Sequence, residues 1–150
     1  RSLYTFWKRT SPAPVMITMN ANKREVCRMR REITASPLQA LVLLNGPQFV
    51  EASKILAGKL IKKYDQDTAA IADEAFRLLT SRYPSEREAE VLQQLLNDQQ
   101  EHFADHEDQA KELLKVGDAA ADESLSASDL AATTVLVNTI MNLDQSVRNK

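Results

Sequence analysis

Cysteine, glycine and proline are all scarce in this chain, and long hydrophobic runs are absent. Cys27 is the only cysteine, so no disulfide can form within the chain, and cysteine usage does not indicate a redox compartment. Three glycines and five prolines leave few helix breakers, which favours helix over strand. No apolar run approaches the roughly 18 residues that a membrane-spanning helix needs, so we expect no membrane insertion.

What is present is an ordinary composition for a globular protein: 150 residues, 43% hydrophobic and 27% charged. We predict an all-α fold, an irregular helical bundle of about five to six helices with an extended, basic N-terminal arm. The predicted organisation is a single helical domain over residues 1–150, with the arm at 1–33 and the helical body at 34–150. Because the sequence opens on Arg1 rather than Met, we expect it to be a fragment of a larger multidomain protein.

Charge is unevenly distributed along the chain. Residues 1–31 carry eight basic residues against Glu25, a local balance of +7, whereas residues 98–129 carry ten acids against two lysines, a local balance of -8. Such asymmetry indicates either a partner-binding arm or two ends that dock on each other. The net charge of -2 gives no reason to expect nucleic-acid binding.

Hydrophobic periodicity and capping signals place the helices. Ser36-Pro37 is a helix start, and the apolar helix that follows, to about Leu44, is predicted to be central and fully buried, with Leu41 in the core and Gln39 hydrogen-bonded or at the edge. Asn45-Gly46 should end it through a left-handed residue. Further helices are predicted at 47–64, 68–81, 86–103, 107–115 and 129–144, with Lys54 among the solvent-facing lysines of the first of these.

The N-terminal 33 residues are expected to form the arm. Phe6 and Trp7 are predicted to hold it by burial, and residues 15–19 are predicted to be a short extended segment. A nucleotide or sugar platform at Trp7 is the less favoured interpretation.

Three groups of side chains are candidates for chemistry. The arginine run, defined as Arg24, Arg28, Arg30 and Arg31, could bind phosphate or sulfate groups or a partner, or could pair with acids of the body. Asp98, His102 and His106 follow at i, i+4 and i+8, a metal-binding spacing, but a solvated polar face is the preferred interpretation. Cys27 is expected to be a small buried apolar residue rather than a nucleophile. We therefore predict no catalytic residue, metal or cofactor site in this chain.

Several long blocks resemble a known family. In order, they are RSLYTFWKRTSPAP, REVCRMRRE, SPLQALVLLNGPQFVEA, FRLLTSRYPSEREAEVL and NTIMNLDQSV. They resemble the C-terminal domain, of unknown function, of large planctomycete proteins associated with cytochrome c. The resemblance implies a periplasmic or secreted setting, upstream domains in the same polypeptide and haem c elsewhere in the parent protein. It supplies no catalytic residues.

The expected function is that of a non-catalytic helical interaction or structural module of an exported protein. Its expected partners are upstream domains of the same polypeptide or another protein. The alternative is part of an enzyme acting on sulfated polysaccharide, completing an active site with upstream domains. An exposed apolar patch would favour the module, and a pocket with convergent polar groups would favour the enzyme.

Overall fold

A computed structural model describes residues 6–8, 10–21, 27, 29, 34, 36–65 and 67–147. The described residues form eight helices: α1 Pro14–Thr18, α2 Pro37–Asn45, α3 Pro47–Tyr64, α4 Thr68–Thr80, α5 Glu86–Asp105, α6 Glu107–Leu114, α7 Ala127–Met141 and α8 Asp144–Val147. No strand occurs among them. The predicted all-α fold is confirmed.

Local capping chemistry explains where the helices begin. Ser85 and Glu88 form a capping box at the start of α5, in which the Ser85 hydroxyl accepts from the Glu88 amide and the Glu88 carboxylate accepts from the Ser85 amide. The Asp67 carboxylate accepts from the amides of Ala69 and Ala70 at 3.1 Å and opens α4. The sequence predicts the capping box at Ser85 and, for α4, a cap at either Asp65 or Asp67, and the structure selects Asp67. The predicted span of α3 is confirmed.

The chain divides into two compact units, residues 1–42 and residues 43–150. The first contains α1 and most of α2. The second contains the last residues of α2 and the six helices that follow it.

The centre of the second unit is α7, which packs against α3, α4, α5 and α6. Helical spacing within 129–144 predicts Leu130, Leu136 and Ile140 to face inward, and all three are fully buried. The helix also buries two threonines, and the hydroxyl of Thr134 is satisfied within the helix itself, because its Oγ1 donates to the Leu130 carbonyl at 2.6 Å.

The prediction that the apolar helix after Ser36 is central and buried is wrong. Leu43 is the buried residue of α2, whereas Leu41 is 54% exposed. An uncharged helix that is apolar nearly all round can lie in a core or present one side to a partner, and its composition does not separate these cases. The predicted left-handed residue after α2 is also absent, since Gly46 has φ -67° and serves as the extended N-cap of α3.

Several predicted side-chain directions in the second unit need correction. Lys54, placed on the solvent side from the sequence, is 3% exposed. Helical spacing also predicts Leu78 on α4 and Val91 on α5 to face inward, yet they are exposed at 49% and 60%. Leu78 and Val91 lie at the edges of their apolar stripes, where a rotation of the helix by part of a turn decides which side is buried. Lys54 lies in the middle of the buried side of α3, between Val50 and Ala57.

Two predictions for the first unit are also wrong. Residues 15–19 are not extended, because Pro14 opens α1 and the Ala13 carbonyl accepts from the amides of Met16 and Ile17. Phe6 is 83% exposed rather than buried, whereas Trp7 is half-buried.

The corner between α4 and α5 is fixed by Arg82. Its guanidinium donates two bonds to the Glu88 carboxylate, from Nη1 at 2.8 Å and Nη2 at 2.7 Å. Two more, from Nε at 3.0 Å and Nη2 at 2.6 Å, reach the side-chain amide oxygen of Gln145 on α8. The same group lies 4.7 Å from the centre of the buried Phe76 ring. Arg82 therefore ties α4, the start of α5 and α8 together.

Candidate docking face

The start of α2 is a second capping box. The Ser36 amide donates to Gln39 Oε1 at 3.2 Å, and the Gln39 amide donates to the Ser36 hydroxyl at 3.3 Å. Gln39 is half-buried and hydrogen-bonded, as predicted. The box fixes the register of α2 from its first residue.

Gln39 also connects α2 to the rest of the first unit. Its Nε2 donates to the Thr18 carbonyl at 2.8 Å and to Thr34 Oγ1 at 3.0 Å. The Asn20 side chain donates to the same Thr34 hydroxyl, and Asn20 itself is left-handed, with φ 53°. Thr34 is thereby held against the side of α2 that carries Gln39.

The opposite side of α2 is apolar and exposed. Leu38 is 57% exposed, Leu41 54% and Leu44 38%, and at three-residue spacing the three share one side of the helix. Pro37 and Ala40 are exposed beside them. We call these five residues the α2 face. No charged residue occurs from Ser36 to Val50, so the face is uncharged throughout.

The last turn of α2 is anchored to α7. Asn138 Nδ2 donates to the Leu44 carbonyl at 2.8 Å, which satisfies one of the carbonyls that a helix leaves free at its C-terminus. The Asn138 Oδ1 atom is buried and has no partner among the described residues. The apolar side of α2 is thus presented by a helix whose carboxyl end is fixed in place.

The loop at residues 115–126 is held against α3 by hydrogen bonds. The Lys54 ammonium group donates to the carbonyls of Leu114, Val116 and Ala119 at 2.9, 3.0 and 2.7 Å, so all three of its protons are used. Glu51, one turn earlier on α3, accepts from the Asp118 amide at 2.9 Å. The role of Lys54 could not be predicted from the sequence, because backbone carbonyls 60 or more residues away leave no side-chain pattern.

This loop forms one wall of a surface cavity of about 620 Å³. The floor of the cavity is apolar, with Leu114, Leu125 and Leu130. The acid Asp122 on its rim pairs with Lys62, which, with Ser124, holds the pKa of the carboxyl down at about 2. A carboxylate held in this way is a structural ion-pair partner rather than a proton donor near neutral pH.

The predicted polar side chains of α5 and α6 do not converge with a third ligand. The rings of His102 and His106 stack with centroids 4.7 Å apart, and α5 ends between them, at Asp105. His106 Nδ1 lies 2.9 Å from the His102 carbonyl, and His102 Nε2 lies 3.2 Å from Gln109 Oε1. In the described part of the chain, no three His, Cys, Asp or Glu side chains are placed to hold a metal ion.

The remaining sequence candidates lie in the first unit. Cys27 is exposed, which corrects the expectation of a buried residue. The arginine run lies outside the described residues, so its proposed anion or partner binding stays a prediction. None of the helices that the structure describes combines the length and apolar character that crossing a bilayer requires.

The comparisons with known proteins give one finding. A family model described as "PSD1: Protein of unknown function (DUF1553)" matches residues 1–96, a span that covers α1 to α4 and ends inside α5. No curated protein and no solved structure matches the chain.

Proposed function

Because the chain belongs to the PSD1 family of proteins of unknown function (DUF1553), we propose its function from its geometry. It is a helical docking module that binds another protein domain through the α2 face. The observation that carries this proposal is the exposure of Leu38, Leu41 and Leu44 on one side of an uncharged helix.

Exposed leucines are common singly, but three on one side of one helix form a contiguous patch of the kind that marks interaction sites. At three-residue spacing they run about 9 Å along α2, which suits packing against a ridge of a partner helix. The buried neighbour Leu43 and the capping box fix the direction in which these side chains point.

The free energy gained by burying the α2 face limits how tightly this face can bind a partner by itself. Completing the burial of three roughly half-exposed leucines contributes about 2–4 kcal/mol. Association costs about 4–15 kcal/mol in lost translational and rotational freedom. The α2 face is therefore the anchor of a larger interface, or it docks on a domain tethered in the same polypeptide, where the effective concentration is high.

The resemblance stated above suggests the partner. We propose an upstream domain of the same polypeptide, in an exported, cytochrome-c-associated protein of planctomycete type that is periplasmic or secreted. Haem c would belong to another domain of that parent protein. The proposal includes neither nucleic-acid binding nor insertion into a membrane.

The test is association of this chain with the upstream domain, each expressed separately and measured by isothermal titration calorimetry. Leu41→Asp should weaken association at least about tenfold, because a charge then faces an apolar partner. Leu78→Asp is the matched control, since Leu78 has similar exposure on another helix. Equal weakening by both variants, or no association of the unaltered chain, would refute the proposal.

The arginine run motivates a second candidate function. Its guanidinium groups suit sulfate, which they can bind through paired hydrogen bonds, as expected for part of an enzyme acting on sulfated polysaccharide. Titration with dextran sulfate against unsulfated dextran separates this candidate from the docking module. Binding to the sulfated polymer that is lost in Arg28→Gln and retained in Leu41→Asp would favour the enzyme part.

A further inference from the structure

We infer that Asn45, at the end of α2, is a site of spontaneous deamidation, and that the carboxylate formed there closes the α2 face to an apolar partner. The effect of this carboxylate on binding rests on the proposed docking function. The reaction itself needs only the residues around the Asn45–Gly46 bond, so the two parts can be tested separately.

Asn45 is the only asparagine of the chain that is followed by glycine. Spontaneous deamidation begins when the backbone nitrogen of the next residue attacks the side-chain carbonyl carbon of asparagine. A side chain on that next residue crowds the approach, and glycine has none. The sequence therefore favours this reaction at Asn45 over every other asparagine of the chain.

The structure leaves both reacting groups accessible. Asn45 is the last residue of α2 and is exposed, and its side chain makes no hydrogen bond to any residue that the structure describes. The Gly46 amide likewise has no acceptor in the described part of the chain, although the Gly46 carbonyl accepts from the amides of Phe49 and Val50. An amide inside a helix is held by the carbonyl four residues earlier. The attacking nitrogen of Gly46 is free of that restraint.

The reaction requires only water and involves no change of oxidation state. The Gly46 nitrogen gives its proton to hydroxide or water and forms a bond to Cγ of Asn45, and the side-chain nitrogen leaves as ammonia. The product is a cyclic imide. Water then adds to one of the imide carbonyls and opens the ring, which leaves aspartate or isoaspartate at position 45. The net change converts an amide and a water molecule into a carboxylate and an ammonium ion.

The new carboxylate would lie at the edge of the α2 face. Asn45 directly follows Leu44, and it follows Leu41 by four residues, so that it shares one side of α2 with Leu41. Both leucines are exposed, and the stretch from 36 to 50 carries no charge. Covering a carboxylate without a counter-charge is costly, so an apolar partner that covers this end of α2 would be rejected. The negative charge also opposes the dipole of α2, whose carboxyl end is already partly negative.

The reaction is tested on the folded chain, incubated at physiological temperature in mildly alkaline buffer and analysed by peptide mapping with mass spectrometry. Asn45 should be converted at least about tenfold faster than Asn97, which is exposed but lies inside α5 and precedes Asp98. Hydroxylamine, which cleaves a cyclic imide, should cut the incubated chain between Asn45 and Gly46.

Gly46→Ala is the variant that isolates the role of the attacking residue. It should slow the conversion of Asn45 at least about tenfold, because the added β carbon crowds the nitrogen. The variant should keep the fold, since Gly46 has φ -67° and ψ 124°, an extended conformation that alanine adopts readily before a proline.

The effect on docking is measured with the upstream domain by isothermal titration calorimetry. Asn45→Asp imitates the product with almost no change of shape and should weaken association at least about tenfold. Asn45→Gln is the matched control, since it keeps an uncharged amide at the same position, and it should bind as the unaltered chain does.

Conversion of Asn45 no faster than that of Asn97, or equally fast in Gly46→Ala, would overturn the deamidation site. Conversion that occurs only in urea would overturn it as well, because the folded chain would then protect the bond. Equal binding of Asn45→Asp and the unaltered chain, with Leu41→Asp still weakened, would overturn the effect on docking and leave the proposed function intact. No association of the unaltered chain would refute the docking function and with it the effect on docking, while mass spectrometry alone decides the reaction.

Discussion

The ammonium group of Lys54 donates a 2.7 Å hydrogen bond to the carbonyl of Ala119, a residue 65 positions later in the chain. Two further carbonyls complete its set of acceptors, and no carboxylate is among them. The positive charge lies where α6 ends, next to carbonyls that a helix terminus leaves unpaired and that carry partial negative charge. A single buried lysine therefore joins α3 to the loop that follows α6.

Replacing Lys54 by Met should destabilise the protein by about 1–3 kcal/mol, because three carbonyls lose their donor while the shape of the side chain is nearly kept. Lys59→Met is the matched control on the exposed side of the same helix and should change the free energy of unfolding by no more than about 0.5 kcal/mol. Urea denaturation of both variants measures the difference. Equal stability of the two would show that the bonds to the loop are not needed.

Two glycines should respond to alanine in opposite directions. Gly117 has φ +90°, and a β carbon there would come within 2.7 Å of the Glu51 β carbon, so Gly117→Ala should cost about 1–3 kcal/mol. In the middle of α3, a β carbon on Gly58 would meet Leu125 and Leu130 at an ordinary 3.8 Å. Gly58→Ala should therefore stabilise the protein by roughly 0.5–1 kcal/mol. Thermal unfolding of the pair provides the check, and a shift of both in the same direction would contradict the geometry.

Leu41→Ala should cost less than about 1 kcal/mol, because about half of the side chain is already in water and no closed cavity forms. Leu136→Ala, at a fully buried position on α7, should cost about 2–5 kcal/mol. Chemical denaturation distinguishes these values easily. If Leu41→Ala lowered the free energy of unfolding as much as Leu136→Ala, the sequence-based interpretation of α2 as a core helix would be restored.

Acid should weaken the α4–α5 corner. Arg82, followed by the amide and hydroxyl of Ser85, lowers the pKa of Glu88 from 4.5 to about 2. A lowered folded-state pKa means that the contribution of Glu88 to stability is present above about pH 4.5 and is lost as the pH falls towards 2.

Glu88→Gln should therefore reduce stability at neutral pH and flatten the dependence of unfolding free energy on pH between about 4.5 and 2. The control is Glu90→Gln, a change of an exposed acid on the same helix. Stability curves measured across this range for the two variants should diverge at the upper end and converge at the lower end. Parallel curves would show that the bonds to Arg82 do not contribute.

The sequence predicted where the helices begin better than it predicted which of their residues are buried. Ser85, Asp67 and Pro47 mark helix starts by chemistry that acts within four residues, and such signals can be read without knowing the fold. Burial depends on what lies across the core. The apolar residues of α2 and of α7 look alike in the sequence, yet α7 is surrounded by four helices and α2 presents leucines to solvent.

The candidate site was only half predictable for the same reason. The uncharged, leucine-rich stretch from 36 to 50 is visible in the sequence. The bonds from Gln39 to Thr18 and Thr34 were not visible, since they need α1, residue 34 and α2 to be brought together in three dimensions. Long-range hydrogen bonds of this kind, like those of Lys54, have no local signature.

The position of α7 also determines which truncated forms of the chain can keep the core. The family match stops at residue 96, inside α5, whereas α7 begins at Ala127 and covers the apolar sides of α3, α4 and α5. Expression of residues 1–96 alone should therefore yield aggregated material, because three helices would lose the surface that they share. Any truncation series should therefore keep α7 complete through Met141.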